Sequence, residues 1–420
     1  VSLREYSVSR LNSVLEEIGR LKESEFPYPH SRDALVRIEQ LFLAHKAKLE
    51  GLSADKKPAI VQMFCATALT DLFKYLAFLG FILRSTNVRN AFEVYGPLLR
   101  LSQQILGKNT KLILSSEWEE YSPFTYRPIS ELPNFVFIGF PAPESSNPLL
   151  IPLAGHELGH TIWNVKLFAA KYAEKIEERI IAEIRNRFDK YTEFYSAHAS
   201  KKEDIIPENL FVKRAIALPT EWAIKQCEEF FCDFVGLYLF DVSYLHAFAY
   251  LFAPTAGQRS ILYPNTLTRV EKLKEAAARF SVDAEGAYKV PDNYAALFRN
   301  KTELPPNEEQ KKFLLSLADA ASNGLADDLI NEAKSVLSAA NVPLLSSDEK
   351  KRILECYKFV VPAVRVPSLS TILNAAWDVY HDRNFWEHMP QIESRRRALK
   401  EVVLKNIEVL EIEQILEDKT

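Results

Sequence analysis

Apolar residues recur at every third or fourth position through most of this chain, the period of helices that bury one face. That period predicts amphipathic helices over residues 2–24, 31–52, 57–85 and about 91–107. Ser31 stands at the N-cap position of the second, ahead of Arg32-Asp33-Ala34-Leu35, and Gly107 closes the fourth. The pattern then shortens. Lys111-Leu112-Ile113-Leu114-Ser115 and Asn134-Phe135-Val136-Phe137-Ile138-Gly139-Phe140 are β-branched and aromatic runs bounded by Pro and Ser, and predict two strands. Pro141 to Pro148 reads as a loop. A long helix is expected from about residue 149 toward Ala199, and another from near Pro219 to about Ala253. Further on, Pro291, Pro305-Pro306 and Pro343 separate more helices, the last charged and amphipathic over about 391–417. The expected class is mainly α with a small β-sheet, in three regions: 1–107 helical, 108–275 central, and 276–420 helical.

Composition narrows the choice of partners. Hydrophobic residues make up 47% and charged residues 26% of 420, the balance of a globular chain. A net charge of -4 leaves no basic surface for nucleic acid, and Arg395-Arg396-Arg397 is flanked by acids. The most apolar stretch, Ala59 to Leu83, carries Gln62, Asp71 and Lys74. Its charge-free run from Tyr75 to Leu83 falls short of the roughly 20 residues a span requires, so a buried core helix is expected there and no membrane span. Cys65, Cys227, Cys232 and Cys356 form no CxxC pair, and the first residues lack the apolar core of a signal peptide. A soluble, cytoplasmic protein is expected.

Candidate chemistry centres on His156-Glu157-Leu158-Gly159-His160. On a helix, histidines four apart share a face, so both imidazoles can reach one metal ion, with Glu157 placed to take a proton from a bound water. Two solvated histidines beside an unrelated glutamate would spell the same five residues. The setting, from Leu149 to Trp163, is too apolar for that, because a buried imidazole needs a partner. A catalytic zinc site takes a third protein ligand. The spacing HExxHxxGxxH is excluded, since Trp163 and Lys166 occupy the glycine and third-histidine positions. Glu229 and Asp233, four apart among Phe230, Phe231, Phe234 and Val235, are two acids facing a core. Glu229 is expected as the third ligand and Asp233 as acceptor from the outer nitrogen of a ligating histidine. Glu228 is a competing ligand, although it lies five residues from Asp233. Cys227 and Cys232 are either thiolate ligands or small core residues, and His246 either approaches the cleft or packs.

HExxH followed by Glu-x-x-x-Asp resembles the gluzincin group of zinc metallopeptidases. Tyr263-Pro264 and Arg269-Val270-Glu271-Lys272-Leu273 resemble the His-Pro…Arg-Ile-x-x-Leu segment of the HtpX and CAAX-prenyl-protease class, in the same order after Glu-x-x-x-Asp. The resemblance covers about residues 149–273 at the level of motifs. Tyr263 stands where that class has histidine, and its membrane helices are not expected here. The resemblance implies a zincin-like catalytic core with His156, His160 and Glu229 holding Zn²⁺, Glu157 as general base and a peptide or protein as substrate. For the oxyanion, Tyr263 and Arg269 are the first candidates, with Tyr238, Tyr244 and His246 behind them; Arg269 could instead pair with the site's acids. The short strands could hold an extended substrate at a sheet edge or merely roof the core. The competing reading is a metal-containing regulatory or interaction protein with weak or latent proteolysis, whose helical flanks bind a partner protein. The apolar stretch from Val360 to Leu373 could pack over the catalytic region or line a groove.

Overall fold

The computed structural model describes residues 2–53, 56–88, 91–196, 201–254, 257–280, 289–305, 307–366, 368–389 and 391–418. It is mainly α-helical with one small sheet, as the periodicity predicts. The expected helix limit at Ala199 and the helix breaker Pro306 lie outside the described residues. The chain divides into two compact units, Val1–Ser146 and Asn147–Thr420. The division differs from the three regions read from the sequence.

In the first unit α1 (Leu3–Lys22), α2 (Pro29–Glu50), α3 (Pro58–Arg84) and α4 (Ala91–Leu106) precede β1 (Lys111–Glu117), β2 (Phe124–Thr125) and β3 (Phe135–Pro141). The sheet order is β1-β3-β2, with β1 parallel and β2 antiparallel to β3. Ile113, Phe135 and Phe137 share one core with Leu11, Ile38, Phe42 and Phe81 of the first three helices, so the sheet belongs to this unit. Helix α2 starts before Ser31: Pro29 takes the first turn, where its missing N–H costs nothing. Ser31 is buried and shares a hydrogen bond with Ser85. Helix α3 is only half the expected core helix. Its buried face carries Cys65, Leu72, Tyr75 and Ile82, while Met63, Phe73, Leu76 and Leu83 are exposed. It is long and apolar enough to cross a membrane by length and composition, and 39% of that apolar window is buried within the protein.

In the second unit the run Pro148–Leu153 forms a 3₁₀ turn that leads into α5 (Ala154–Val165), α6 (Phe168–Asn186) and α7 (Phe188–Tyr195). Then come α8 (Leu210–Phe240), α9 (Val242–Phe252) and α10 (Thr266–Phe280). The C-terminal helices are α11 (Glu309–Asn323), α12 (Ala326–Ala339), α13 (Ser347–Tyr357), α14 (Leu369–His381) and α15 (Ile392–Glu417). The long helix expected from residue 149 is thus three helices. Lys166 and Leu167, the latter left-handed with φ of 56°, end α5, and Arg187 separates α6 from α7, but such short breaks leave the apolar period intact on either side. Conversely, α8 begins at Leu210 and carries Pro219 inside it. The Asn209 side chain caps it by accepting from Phe211 N and Val212 N. Asp241, with φ of 55°, separates α8 from α9.

Helix α8 is the axis of this unit, with α5, α6, α10, α11 and α12 packed around it. Its residues from Gln226 to Phe240 are buried without interruption, as expected of a helix apolar on all sides. Helices α5 and α8 run antiparallel in backbone contact: Gly155 faces Gly236, and Gly159 faces Cys232. A Cβ on Gly159 would stand 2.7 Å from Cys232 Cα, and one on Gly155 3.0 Å from Gly236 Cα. Helix α14, which continues the apolar Val360–Leu373 stretch, braces this pair. Asn374 donates to Phe240 O and accepts from Ser243 N, and Trp377 Nε1 donates to Leu149 O.

Glycine therefore has opposite value at two helical positions. Gly159→Ala should lower stability by about 1–3 kcal/mol through overpacking. Gly19→Ala, in α1 with no atom within 4 Å of the added Cβ, should raise it by about 0.5–1 kcal/mol. Urea unfolding of both variants checks this, and the contact account is wrong if the two shift alike.

Candidate metal centre

The backbone contact of α5 with α8 brings the two sequence motifs face to face. His156 and His160 lie one turn apart on α5, with ring centroids 5.0 Å from each other. Both rings point their Nε2 atoms at one carboxylate of α8. His156 Nε2 is 3.5 Å from Glu229 Oε2, and His160 Nε2 is 3.6 Å from Glu229 Oε1. These separations are too long for hydrogen bonds. They match the spacing of donors around a tetrahedral zinc ion, about 3.3–3.6 Å for bonds of 2.0–2.2 Å. Glu229 Oε2 is buried and has no hydrogen-bond partner. Leaving a charged oxygen so is costly, and a cation among these donors removes the cost. The residues therefore fit a divalent metal.

The outer ring nitrogens are engaged by two other acids of α8. His156 Nδ1 lies 3.0 Å from Asp233 Oδ1, and His160 Nδ1 lies 3.0 Å from Glu228 Oε1. A carboxylate accepts, so each Nδ1 donates, and Nε2 is the atom of each ring that a metal would meet. Asp233 is itself gripped from three sides. Arg269 donates from Nε to Oδ2 and from Nη2 to Oδ1, each at 2.8 Å, and Tyr244 Oη donates to Oδ1 at 2.7 Å. Glu228 Oε2 accepts from Lys225 Nζ at 2.7 Å.

Burial and charge set the protonation of this cluster. Glu157 is pushed up to about 7 by burial, against the pull of His156 and His160. Burial alone would lower His156, but Asp233 and Glu229 beside it raise it to about 10. Burial would likewise raise Asp233 and Glu229. The Arg269 guanidinium and His156 instead hold Asp233 well below the usual carboxylate range, and the two imidazoles lower Glu229. Four carboxylates (Glu157, Glu228, Glu229, Asp233) face Lys225 and Arg269, a deficit of two positive charges. Protons on the imidazoles or one divalent cation can make it up.

The structure brings His156, Glu157, His160, Glu229, Asp233 and Arg269 together. Tyr244 joins them through Asp233, and the remaining candidates have other surroundings. Tyr238 Oη shares a hydrogen bond with Ser338 Oγ, and His246 pairs with His381 while stacking on Trp377. Tyr263 is 45% exposed, with the Arg269 guanidinium 6.0 Å from its ring centre. Cys227 is a buried thiol that burial pushes upward. Cys232 is closer to the centre: with His156 and His160 it forms a group of donors within 4.8 Å of one another. Burial among acids raises its thiol well above the ordinary value, and a cation beside it would act in the opposite direction. The contacts of Glu228 with His160 and of Lys225 with Glu228 were missed by sequence reasoning. Their one trace is Lys225 three residues before an acid in an apolar run. No family model, no curated protein and no solved structure matches the chain.

Two outcomes follow from this geometry. A histidine whose folded value exceeds its unfolded one stabilises fully below the unfolded value and loses that stabilisation as pH rises through the folded one. Metal-free protein should thus lose stability to denaturant between about pH 6.5 and 10, and a flat profile there would contradict the pairing of His156 with the acids. As for the donors, Glu229→Ala should lose bound metal, whereas Cys232→Ser should retain it. Cobalt-loaded wild type should lack a thiolate-to-metal charge-transfer band, and a strong band would make Cys232 a ligand.

Proposed function

We propose that this chain is a zinc-dependent peptidase in which His156, His160 and Glu229 hold the metal and Glu157 moves the proton. The observation that carries this reading is the convergence of two imidazole Nε2 atoms on a Glu229 carboxylate whose Oε2 is buried without a hydrogen-bond partner. A zinc ion held there would acidify a coordinated water to near neutrality and polarise a substrate carbonyl.

The rest falls to the chain's own residues. Asp233 keeps a proton on His156 Nδ1, and Arg269 and Tyr244 keep Asp233 in place. Arg269 is therefore assigned to positioning and not to the oxyanion, since two of its N–H groups are committed to Asp233. Glu157, an acid raised toward neutrality, takes a proton at its carboxylate and returns it to the leaving amine. Tyr244 and Arg269 are committed to Asp233. Tyr263, whose ring centre lies 6.0 Å from the Arg269 guanidinium, is the group assigned to the oxyanion in this reading. The substrate class is a peptide or protein. Free thiols at Cys65, Cys227, Cys232 and Cys356 suit a reducing compartment such as the cytoplasm.

A metal-holding regulatory protein would need the same ligands but not Glu157, and one variant separates the two. Native protein should carry about one zinc per chain. Glu157→Gln should keep the zinc and the fold while slowing cleavage of a fluorogenic peptide library by about 10²–10⁴-fold. Tyr263→Phe should reduce kcat by about 10²–10³-fold with metal retained. Native protein without metal, or a Glu157→Gln variant as active as wild type, would end the peptidase reading.

A further inference from the structure

We propose that Glu228 is a positioning residue for the metal centre: it locks the His160 ring through Nδ1, and Lys225 aims it. The proposal rests on the metal-binding reading above and adds to it a second imidazole–carboxylate arm.

Three observations converge on Glu228. First, consecutive residues of α8 grip opposite edges of one ring. Glu229 Oε1 lies 3.6 Å from His160 Nε2, whereas Glu228 Oε1 lies 3.0 Å from His160 Nδ1. Neighbours on a helix point about 100° apart, so the pair can straddle an imidazole that approaches from the facing helix. Second, Glu228 is 4% exposed, and a carboxylate buried to that degree demands bonds for both oxygens. Oε1 meets His160, and Oε2 meets Lys225 at 2.7 Å. With its oxygens so engaged, at the far edge of the ring from Nε2, Glu228 is not placed as a ligand. Third, the arrangement repeats on the other histidine, where Asp233 takes His156 Nδ1 and is aimed by Arg269. Each ligating ring thus has its own acid, and each acid its own cation.

The consequence is chemical. A carboxylate accepting from Nδ1–H fixes the tautomer, stops the ring from rotating and makes Nε2 a better donor. The two arms differ in depth. The Asp233 side chain is 1% and Arg269 11% exposed, whereas Lys225 is 26% exposed. The His160 arm is therefore the one whose outer member reaches solvent.

The test is zinc affinity by competition with a chromophoric chelator, on full-length protein. Glu228→Ala should weaken zinc binding by about 10–100-fold. Glu228→Gln should recover most of that loss, because its amide oxygen still accepts from Nδ1–H. Lys225→Met changes a partly exposed side chain and serves if Glu228→Ala does not fold; it should weaken binding by about three- to ten-fold, less than a lost acceptor does. In zinc-loaded wild type the His160 Nδ1 proton should give a slowly exchanging NMR resonance that Glu228→Ala abolishes and a merely structural ion pair would not govern. Wild-type affinity in Glu228→Ala, or in Lys225→Met, overturns the proposal while leaving the ligand set intact. Loss of zinc in Glu228→Ala but not in Glu229→Ala overturns it by making Glu228 the ligand. Failure of wild type to bind zinc removes the metal-binding reading itself, and this proposal with it.

Discussion

Backbone contact between α5 and α8 is the constraint on which the candidate centre depends. Glycine inside a helix costs about 1 kcal/mol against alanine, and α5 holds two of them in twelve residues. What offsets the cost is proximity. With Gly155 against Gly236 and Gly159 against Cys232, no side-chain layer separates the helices. The antiparallel register then sets His156 opposite Asp233 and His160 opposite Glu228, with Glu229 between the two rings. Four-residue spacing on each helix is thereby converted into a three-dimensional set of donors. A wider crossing, at the 8–10 Å usual between helices, would leave side chains as short as Asp233 out of reach.

That proximity creates an electrostatic problem in a segment that is otherwise core. Phe230, Phe231 and Phe234 are fully buried on the helix that carries Glu228, Glu229 and Asp233. Each acid is tolerated through a different neighbour. Asp233 has Arg269 and Tyr244, Glu228 has Lys225, and Glu229 has the two imidazole edges and a weaker approach from Arg269 at 3.6 Å. Two acids are hydrogen-bonded in full view of a cation, while the third keeps an oxygen unsatisfied. Buried charges of that kind persist when a further charge completes them, which is why the deficit is centred on Glu229.

How much of this was legible in the sequence depends on whether a signal is local. Helical period is local, and it marked the helices and the mainly α class. Charged residues four apart in apolar surroundings are also local, which made His156, His160, Glu229 and Asp233 visible before any coordinates. The boundaries were less so. Leu167 and Asp241 adopt positive φ with neither glycine nor proline to announce it, and Arg187 breaks the helical path a second time, so one expected helix became three and another was cut after Phe240. Pro219 suggested a helix start, yet the Asn209 cap and the burial of Val212, Ala215 and Ile216 carry α8 back to Leu210. The partner of His160 was not legible, because it depends on which edge of a ring an acid meets across a helix crossing. The outward apolar face of α3 was hidden for the same reason: composition reports how apolar a helix is, not how many of its sides find a neighbour.

One helix being both the core of its unit and the carrier of the acids ties the centre to folding. Sites built on loops can change without disturbing the scaffold beneath them. Here the residues that pack the second unit alternate along α8 with those that face the histidines. Cys232 lies under Gly159, Gly236 lies under Gly155, and Tyr244 packs against Gly236 while donating to Asp233. Any shift of α8 relative to α5 therefore changes packing and donor geometry together. On the proposed metal-binding reading, metal uptake and the stability of this unit form one equilibrium, since ligands must shed protons to bind and the bound state favours the folded arrangement that presents them. The bracing of the crossing by α14, through Asn374 and Trp377, extends that coupling to the C-terminal helices. Those helices are then part of what holds the donors at their spacing, in addition to any surface they offer a partner.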